Sequence, residues 1–306
     1  MLNLISSLII ASLLIGPGFN FFGAAGGNSI FVNQFDSNSP QLISDNSLGI
    51  KTTAQEILLV DDNSGVSLYA KNLEATRSIA SITKLMTALV FLSHNPGWDQ
   101  VVEIKASDRR EGGQIYLLTG ETVTVKDLFN LMLVASSNEA AIALARSATS
   151  QDFVAEMNRQ AAELGMLNSY FADPSGLAPG NVSRGADLIK LANAAFANQD
   201  IQSALQSVAY QFTTSNTRRA VKVENTDRLL LSFLNDEAFE ILGAKTGYLD
   251  EAGYCLLIKV KTPLDQSLTL VLLGAATIED RWQETKGLID WVLRHYRWPV
   301  PQPIES

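Results

Sequence analysis

The spacing of apolar positions changes along the chain, and each change predicts a different element. Two short apolar runs, 56–60 and 66–70, lie on either side of the polar turn 61–65 and predict a β-hairpin. Further along, leucine, alanine, methionine and phenylalanine recur at helical spacing between loops that contain glycine and proline. This spacing predicts helices near 81–95, 125–135, 138–148, 150–164 and 184–197.

Strand-like patterns return after Tyr210. The runs 254–260 and 268–273 are mostly apolar, as in strands buried on both faces, and 279–298 has the spacing of an amphipathic helix before Pro299. Strands, then helices, then more strands and a closing helix predict an α/β fold, in which one sheet has a mostly helical lobe inserted beside it. We expect a cleft between lobe and sheet, where polar side chains from both converge.

An uncharged N-terminal stretch precedes these elements. The first 35 residues carry no charged side chain, and 4–16 is apolar over the length of a signal-peptide core. No lysine or arginine precedes that core, so an uncleaved membrane anchor stays open beside a cleaved signal, and a buried helix is a third alternative. We expect export, and we divide the chain into a signal peptide or anchor (1–25), a polar linker (26–52), a folded domain (53–298) and a tail (299–306).

Composition excludes several classes of protein. The net charge is −9 and lysine and arginine form no cluster, so a surface for nucleic acid or anionic lipid is not expected. Cys255 is the single cysteine, which leaves no disulfide framework and no cysteine-built metal site. The two histidines, His94 and His295, provide little material for a Ser-His-Asp triad or a zinc site. Small or cationic partners fit such a chain better.

A serine and a lysine three residues apart begin the first predicted helix. In Ser81-Ile-Thr-Lys84 the two side chains share one helix face, so the hydroxyl and the amine can meet. A serine hydroxyl needs a neighbouring base to act as a nucleophile, and an amine is a base only when it is deprotonated. Taken alone, the tetrad is more typical of a capped helix with a solvated lysine, because such tetrads arise often by chance.

Two further motifs follow in order. Ser136-Ser137-Asn138 interrupts two helical stretches and predicts a tight turn with exposed side chains, although either serine could simply cap the helix that begins at Glu139. Lys245-Thr246-Gly247 lies on a predicted strand, where a strand end with a turn glycine is the plainer interpretation. In this order, within a strand–helix–strand layout, the three motifs together favour one catalytic site over coincidence.

With these motifs the chain resembles the serine penicillin-binding proteins, and within them the low-molecular-weight D-alanyl-D-alanine carboxypeptidases of peptidase family S11. The resemblance covers about 53–298 and implies a β-lactamase/transpeptidase-like fold, with an antiparallel sheet flanked by helices and an inserted, mostly helical lobe. Outside the motifs it is carried by Glu111-Gly112-Gly113, 118–128, 173–177, Ser183 with Asp187-Leu188, and 251–255.

The resemblance implies a mechanism and a set of site residues. Ser81 would be the acylated nucleophile, Lys84 its general base and Ser136 the relay of a proton to the leaving amine. The substrate-binding residues would be Asn138, Lys245, Thr246, Gly247 and Tyr248. The implied reaction removes the terminal D-alanine from peptidoglycan stem peptides, requires no metal or cofactor, and is inhibited by β-lactams that acylate the same serine.

The general base sets a physical requirement. The pKa of Lys84 must fall from about 10.4 to near 7, which corresponds to about 4 kcal/mol and requires a second cation or desolvation. Lys245, across the cleft, is the expected cation. We also expect the backbone N–H groups of Ser81 and Tyr248 to form the oxyanion hole. Arg281 either contributes to carboxylate recognition or, in closer keeping with its place on the last helix, forms a salt bridge.

The sequence departs from the family pattern in two places. Leu249 stands where the family often has threonine or serine, so a secondary substrate contact is in doubt. The chain also stops soon after Trp298, before the all-β second domain and amphipathic anchor of longer members. Any membrane attachment is therefore expected from the N-terminus.

Other functions stay open. A class A β-lactamase shares all three motifs but needs a Glu-x-x-Leu-Asn element, and the nearest string, 163–168, is one residue too long. A penicillin-sensing module would need further transmembrane segments and a signalling domain, which the sequence does not contain. A D,D-endopeptidase would use the same site on peptidoglycan cross-links, and no sequence feature separates it from a carboxypeptidase.

Overall fold

The structure, a computed structural model, describes residues 39–43, 47–110, 112–148 and 152–299. Its strands are β1 (Gln41–Leu42), β2 (Glu56–Asp61), β3 (Ser67–Lys71), β4 (Arg77–Ser78), β5 (Val101–Glu103), β6 (Thr122–Thr124), β7 (Val182–Ser183), β8 (Ala209–Thr213), β9 (Ala220–Glu224), β10 (Glu240–Leu249), β11 (Gly253–Lys261), β12 (Ser267–Ala275) and β13 (Tyr296–Arg297). Its α-helices are α1 (Thr83–Ser93), α2 (Val125–Val134), α3 (Asn138–Ser147), α4 (Phe153–Glu163), α5 (Gly185–Phe196), α6 (Gln199–Gln206) and α7 (Ile278–His295). Short 3-10 turns occupy Ala80–Ile82, Ala106–Asp108, Arg228–Leu231 and Phe233–Asn235.

Five antiparallel strands form the central sheet, in the order β10, β11, β12, β2 and β3. β2 is buried along its whole length, and its side chains alternate between the two faces of the sheet. Ile57 and Leu59 belong to the core on the α7 side, whereas Leu58 and Val60 belong to the core on the lobe side. The sheet is therefore a middle layer, and the predicted antiparallel sheet flanked by helices is confirmed.

α1 lies at the centre of the helical lobe. Almost every residue from Thr83 to Phe91 is buried, as expected for a helix that is surrounded by protein. Side-chain caps set the starts of the two helices beside it. Thr124 Oγ1 accepts from the Asp127 N–H at the start of α2, and Ser137 Oγ accepts from the Ala140 N–H at the start of α3. The polar residues between helical runs thus mark where each helix begins.

The hairpin and the five predicted helices are confirmed, with ends shifted by a few residues. The pattern does not predict α6, a short helix capped by Asn198. The predicted extent of the last helix, to 298, is wrong, because Tyr296 and Arg297 pair instead with β1. Trp298 also lies outside the helix, and its Nε1 donates to Asp61 Oδ1 at 3.0 Å.

The predicted signal peptide or anchor (1–25) lies outside the described residues. Across the described ranges, the helices are too short or too polar to cross a membrane. Several contacts fall inside the predicted linker: among them, β1 pairs with β13, and Trp291 Nε1 donates to Ser47 Oγ at 2.8 Å. Part of that segment therefore packs against the folded body, and the predicted boundary at 53 stays a prediction.

Candidate active site

A cleft of about 1060 Å³ lies between the lobe and the edge strand β10, and the three motifs meet in it. Its lining includes Ser81, Ser136, Asn138, Thr246, Gly247 and Tyr248. The motif lysines are buried beneath this lining, with 0% of Lys84 and 1% of Lys245 exposed. The fold therefore brings together all the residues that the sequence predicts for the site.

Ser81 lies in the 3-10 turn that leads directly into α1. Lys84 follows one turn later, and its Nζ lies 2.8 Å from Ser81 Oγ in a hydrogen bond. The contact expected from the three-residue spacing is therefore present. Ala80, just before the serine, has a φ of 45°, which is uncommon for a residue with a side chain. The backbone is thus sharply turned immediately before Ser81.

Two glycines allow backbone to approach this turn from both sides. A Cβ on Gly247 of β10 would lie 2.8 Å from the carbonyl oxygen of Ile79. Gly176 has a φ of 85°, and a Cβ there would overlap the carbonyl oxygen of Ala80. Neither position has room for a side chain, so the lobe and the sheet both confine the turn that carries Ser81.

Lys84 Nζ makes hydrogen bonds to oxygen atoms from three segments of the lobe. Its partners are Ser81 Oγ at 2.8 Å, Asn138 Oδ1 at 2.8 Å and the backbone carbonyl of Ser175. Asp173 shapes the loop that presents this carbonyl, because its carboxylate accepts from backbone N–H groups at 175, 176 and 178. The stretch 173–177, which contributes to the family resemblance, therefore supports the lysine.

Burial lowers the pKa of Lys84 to about 7. The negative charges of Asp173 and Glu139 act in the opposite direction, but their effect is smaller. Of the two causes that the sequence left open, a second cation or desolvation, loss of solvent is the largest contribution to this low pKa. Enclosure of Lys84 within the lobe therefore brings the amine into the range where it can exchange protons at neutral pH.

The two neighbouring serines of the second motif make different contacts. Ser137 caps α3, as the plainer interpretation expects. Ser136 has a φ of 58° and lines the cleft, where its Oγ accepts a hydrogen bond of 2.9 Å from Lys245 Nζ. Asn138 holds Lys84 through Oδ1 and donates through Nδ2 to the carbonyl of Gly112 at 3.1 Å. The turn therefore connects the two buried lysines.

Lys245 lies on β10 and points toward Ser136. Its Nζ also donates to the backbone carbonyl of Thr246 at 3.0 Å. The pKa of Lys245 is well below its ordinary value, first because of burial and then because Lys84 and Arg281 are positively charged. Thr246 Oγ1 in turn donates to Thr226 Oγ1 at 2.8 Å, which fastens β10 to the neighbouring wall of the cleft.

Arg281 and Tyr248 lie at the outer part of the same wall. Arg281 Nη1 donates to the carbonyls of Gly247 and Cys255 at 3.3 and 3.4 Å, and its guanidinium lies 4.1 Å from the ring centroid of Trp282. The expected salt bridge of Arg281 is wrong, because no ion pair joins it to any described residue. Tyr248 is 49% exposed, with its hydroxyl bonded to Asp250.

Sequence reasoning missed two buried carboxylates near the site. Glu139 accepts from the Tyr116 N–H at 2.7 Å and so ties the start of α3 to a loop at the cleft. Asp227 is only 2% exposed, and its charge acts on Lys245. Neither residue belongs to one of the three motifs: Glu139 directly follows Asn138, whereas Asp227 lies on a segment that contacts β10 only through tertiary packing. Within the described ranges, no group of three or more histidine, cysteine and carboxylate side chains is placed to hold a metal ion.

A family model described as D-alanyl-D-alanine carboxypeptidase matches residues 42–277. The chain belongs to this family. It is 30% identical over 255 residues to the D-alanyl-D-alanine carboxypeptidase DacF of Bacillus subtilis, and the match covers 79% of this chain and 63% of that protein. It is 33% identical over 246 residues to a D-alanyl-D-alanine endopeptidase of Pseudomonas aeruginosa, and the match covers 74% of this chain and 76% of that one.

Solved structures support the same fold. The crystal structure of the Streptomyces K15 DD-transpeptidase aligns with a TM-score of 0.72 at 26% identity, covering 81% of this chain and 100% of that one. Penicillin-binding protein D2 from Listeria monocytogenes, in its cefotaxime-bound form, aligns with a TM-score of 0.69 at 29% identity, covering 81% and 100%. The β-lactamase/transpeptidase-like architecture is confirmed, and the chain is a member of a family of serine-type hydrolases.

Glu163 is the glutamate whose surrounding sequence comes nearest to the β-lactamase pattern. It is the last residue of α4, has a side chain that is 52% exposed, and pairs with Arg159 one turn earlier. It is absent from the lining of the cleft. Glu163 is therefore a surface residue, and the described structure offers no support for a β-lactamase glutamate at that position.

Proposed function

We propose that this chain is a serine D,D-carboxypeptidase that removes the terminal D-alanine from peptidoglycan stem peptides through an acyl-enzyme on Ser81. The observation that carries the proposal is the 2.8 Å hydrogen bond between Ser81 Oγ and the buried Lys84 Nζ, in the cleft where all three motifs meet. Because burial brings the pKa of Lys84 to about 7, a large fraction of this amine is neutral at physiological pH.

The contacts of Lys84 accommodate both protonation states that a general base passes through. A neutral amine donates two hydrogen bonds and accepts one, whereas a charged ammonium donates three and accepts none. Asn138 Oδ1 and the Ser175 carbonyl accept only, so they take the two donated bonds. When the amine is neutral its remaining lone pair faces Ser81, and the hydroxyl can then donate to it across the 2.8 Å that separate Ser81 Oγ and Lys84 Nζ. That is the starting arrangement for removal of the Ser81 proton by Lys84.

In the acylation step, Ser81 Oγ attacks the carbonyl that precedes the terminal D-alanine while Lys84 takes the serine proton. The negative charge that develops on the carbonyl oxygen is stabilised by the backbone N–H groups of Ser81 and Tyr248. When the peptide bond breaks, Ser136 donates its hydroxyl proton to the leaving amine and takes up the proton that Lys84 removed from Ser81, so D-alanine departs and Lys84 is neutral again. Water then attacks the ester on Ser81, with Lys84 again as the base, and frees the shortened peptide.

The carboxylate of the terminal D-alanine binds on the β10 wall. Lys245 supplies the positive charge and Thr246 a hydroxyl, both on the edge strand along which the peptide would lie. Gly247 has no side chain to obstruct that path. Asn138 completes the set by holding the substrate amide as well as Lys84, to which its Oδ1 is bonded.

The relatives support two further parts of the proposal. The Listeria protein is a penicillin-binding protein solved in a cefotaxime-bound form, and we infer that β-lactams acylate Ser81 in the same cleft. Relatives named for D-alanyl-D-alanine act on a bond found in the cell wall, so we infer that this chain works outside the cytoplasm. Attachment to the membrane through residues 1–25 is the remaining inference.

A D,D-endopeptidase is the second candidate, because three of the relatives carry that name. An endopeptidase cleaves the same D-alanyl bond type within a cross-link, so the catalytic steps are shared. The two activities differ in the group on the far side of the cleaved bond, which ends in a free carboxylate in one case and continues as a peptide in the other. The charge of Lys245 favours the free carboxylate, and this is why the carboxypeptidase comes first.

The test is release of D-alanine from a stem peptide that ends in D-Ala-D-Ala, with a cross-linked dimer as the competing substrate. We expect release by the wild type and none by Ser81→Ala. Ser78→Ala is the matched control, because it removes a nearby serine hydroxyl that has no hydrogen-bond partner within the described part of the chain, and it should keep its activity. Release that persists in Ser81→Ala, or no release by the wild type, would refute the proposal. Faster cleavage of the dimer would favour the endopeptidase.

A further inference from the structure

Asp227 is a buried carboxylate that the proposed mechanism does not use. It lies directly after Asn225 and Thr226, which line the cleft, yet only 2% of its own surface is exposed. Its Oδ1 accepts from the Leu229 N–H at 3.0 Å, whereas its Oδ2 has no hydrogen-bond partner among the described residues. A buried carboxylate oxygen without a hydrogen-bond donor costs folding free energy. Attraction to nearby charged groups would offset that cost.

Two cations on the β10 side provide that attraction. Lys245 and Arg281 both act on Asp227 and favour its charged form. The segments are in direct contact, since Thr246 Oγ1 bonds to Thr226 Oγ1 at 2.8 Å. Arg281 Nε is itself buried without a hydrogen-bond partner. Asp227 thus lies on the segment that contacts β10, next to Thr226, and makes no hydrogen bond or ion pair with Lys245 or Arg281 among the described contacts.

The charges that surround Lys245 do not act in the same direction. Burial, Lys84 and Arg281 all favour loss of its proton. Among the described charged groups, Asp227 is the one that favours retention. A substrate carboxylate would do the same, but only after it has bound. In the free enzyme, Asp227 is therefore the group that opposes deprotonation of Lys245.

We propose that Asp227 is a positioning residue that keeps the proton on Lys245, so that the substrate carboxylate meets a cation when it enters the cleft. The proposal rests on the proposed function, because it assigns Lys245 to the carboxylate. It acts through charge, so a neutral side chain of the same shape should abolish it. Asp227→Asn is that change, and asparagine keeps an oxygen to accept the Leu229 N–H.

The effect of Asp227 on the protonation of Lys245 should depend on pH. Burial raises the pKa of Asp227 to about 6, so the carboxylate is neutral below that pH and charged above it. Below about pH 6 the wild type and Asp227→Asn carry the same charge here and should behave alike. Above it, only the wild type retains the anion, and Lys245 of the variant should lose its proton at a lower pH. The difference should therefore widen as the pH rises.

The experiment measures binding rather than turnover, so that its outcome is separate from that of the catalytic proposal. In a Ser81→Ala background, the Kd of an acetylated peptide ending in D-Ala-D-Ala is measured by calorimetry from about pH 5 to about pH 9, with and without Asp227→Asn. We expect equal Kd values near pH 5 and about tenfold weaker binding by Asp227→Asn near pH 8, as for a one-unit shift in the pKa of Lys245. The same peptide with a C-terminal amide should show no such difference.

Glu224→Gln is the matched control variant. Glu224 is a carboxylate that lines the same cleft, but its side chain is 69% exposed. Its loss should leave the pH dependence of peptide binding unchanged. Equal Kd values for parent and Asp227→Asn near pH 8 would overturn the proposal, and so would an equal loss with the amide. As a second readout in the active enzyme, the alkaline limb of kcat/KM should move to lower pH in Asp227→Asn.

Discussion

The two walls of the cleft each bury a lysine, and the surroundings of these lysines differ in kind. Lys84, on the lobe, is surrounded by oxygen atoms from three segments, one of which is the Ser81 hydroxyl. Lys245, on the sheet, has Ser136 and the carbonyl of its own neighbour, and it faces the buried charge of Asp227. Burial lowers the pKa of both lysines, so burial alone does not assign a role to either.

Their partners explain the difference. The acceptors around Lys84 take two hydrogen bonds from a neutral amine and leave its lone pair directed at Ser81, which suits a base. On the other wall, Asp227 favours a charged Lys245, which suits recognition of an anion. A lysine that must lose a proton and a lysine that must keep one can therefore lie in one cleft, if the neighbouring oxygens and charges are arranged separately.

Replacing Lys84 should have the largest effect on the reaction. Lys84→Met fills the same buried volume without a base, and we expect a loss of about 10³-fold or more in the rate of Ser81 acylation by a β-lactam. Lys222→Met is the control, because it removes an exposed lysine from the lining of the same cleft. A Lys84→Met protein that is folded by circular dichroism and acylates within tenfold of the wild type would contradict the role of general base.

Replacing Lys245 should have a smaller and more selective effect. A hydrogen bond to a charged group contributes roughly 1.5–3 kcal/mol, so Lys245→Met should lower kcat/KM by roughly 10- to 100-fold for a peptide ending in a free carboxylate. For the same peptide as a C-terminal amide the decrease should be much smaller. Equal losses with both peptides would show that the two lysines share one role, and the contrast between the walls would fail.

The two walls also differ in how far the sequence predicts them. The Ser81–Lys84 contact was predictable because a helix repeats its faces at fixed spacing, and the central sheet was predictable because β11 and β12 are mostly apolar. Asp227 was not predictable. Its effect depends on the packing of the segment after β9 against β10, and no residue spacing encodes that distance. Sequence reasoning thus reached the motif side chains and missed the charges behind them.

The low pKa of Lys84 was predictable only as a requirement of the chemistry. The sequence left open whether the charge of Lys245 or desolvation lowers this pKa, and the structure gives burial as the main cause. Depth of burial depends on how α1 is enclosed by the other elements of the lobe, which is a property of the whole fold. The same limit applies to Ser136 and Ser137, because the sequence could not tell which one caps α3 and which one faces the cleft.

Gly176 allows the close packing around the Ser81 turn to be tested separately from the catalytic chemistry. Gly176→Ala adds a Cβ that overlaps the Ala80 carbonyl, in a backbone conformation with φ of 85°. Gly120→Ala is the control, because Gly120 has a similar φ of 88° but no atom within 4 Å of its added Cβ. We expect about 1 kcal/mol of destabilisation for Gly120→Ala from strain, and about 1–3 kcal/mol more for Gly176→Ala from overlap. Urea denaturation measures both, and equal losses would mean that close approach does not matter.

The smallest expected effect is a slope in stability with pH, which reports on Lys84 without any substrate. Its pKa is about 7 in the folded protein and 10.5 in the reference state, so between these values the unfolded chain binds more protons than the folded one. Stability should therefore rise with pH across this window, by at most about 1.4 kcal/mol per pH unit from this group, and be independent of Lys84 protonation below it.

The measurement is the free energy of unfolding of wild type and Lys84→Met from about pH 7 to about pH 9. Both proteins retain Lys245 and the surface groups. The difference between the two curves therefore reports the contribution of Lys84 titration to the free energy of unfolding, together with the repulsion between Lys84 and Lys245. A difference that rises with pH would confirm that the lobe wall holds a neutral amine at a cost in stability, whereas parallel curves would mean that Lys84 keeps its proton and that the two walls do not differ in the way proposed.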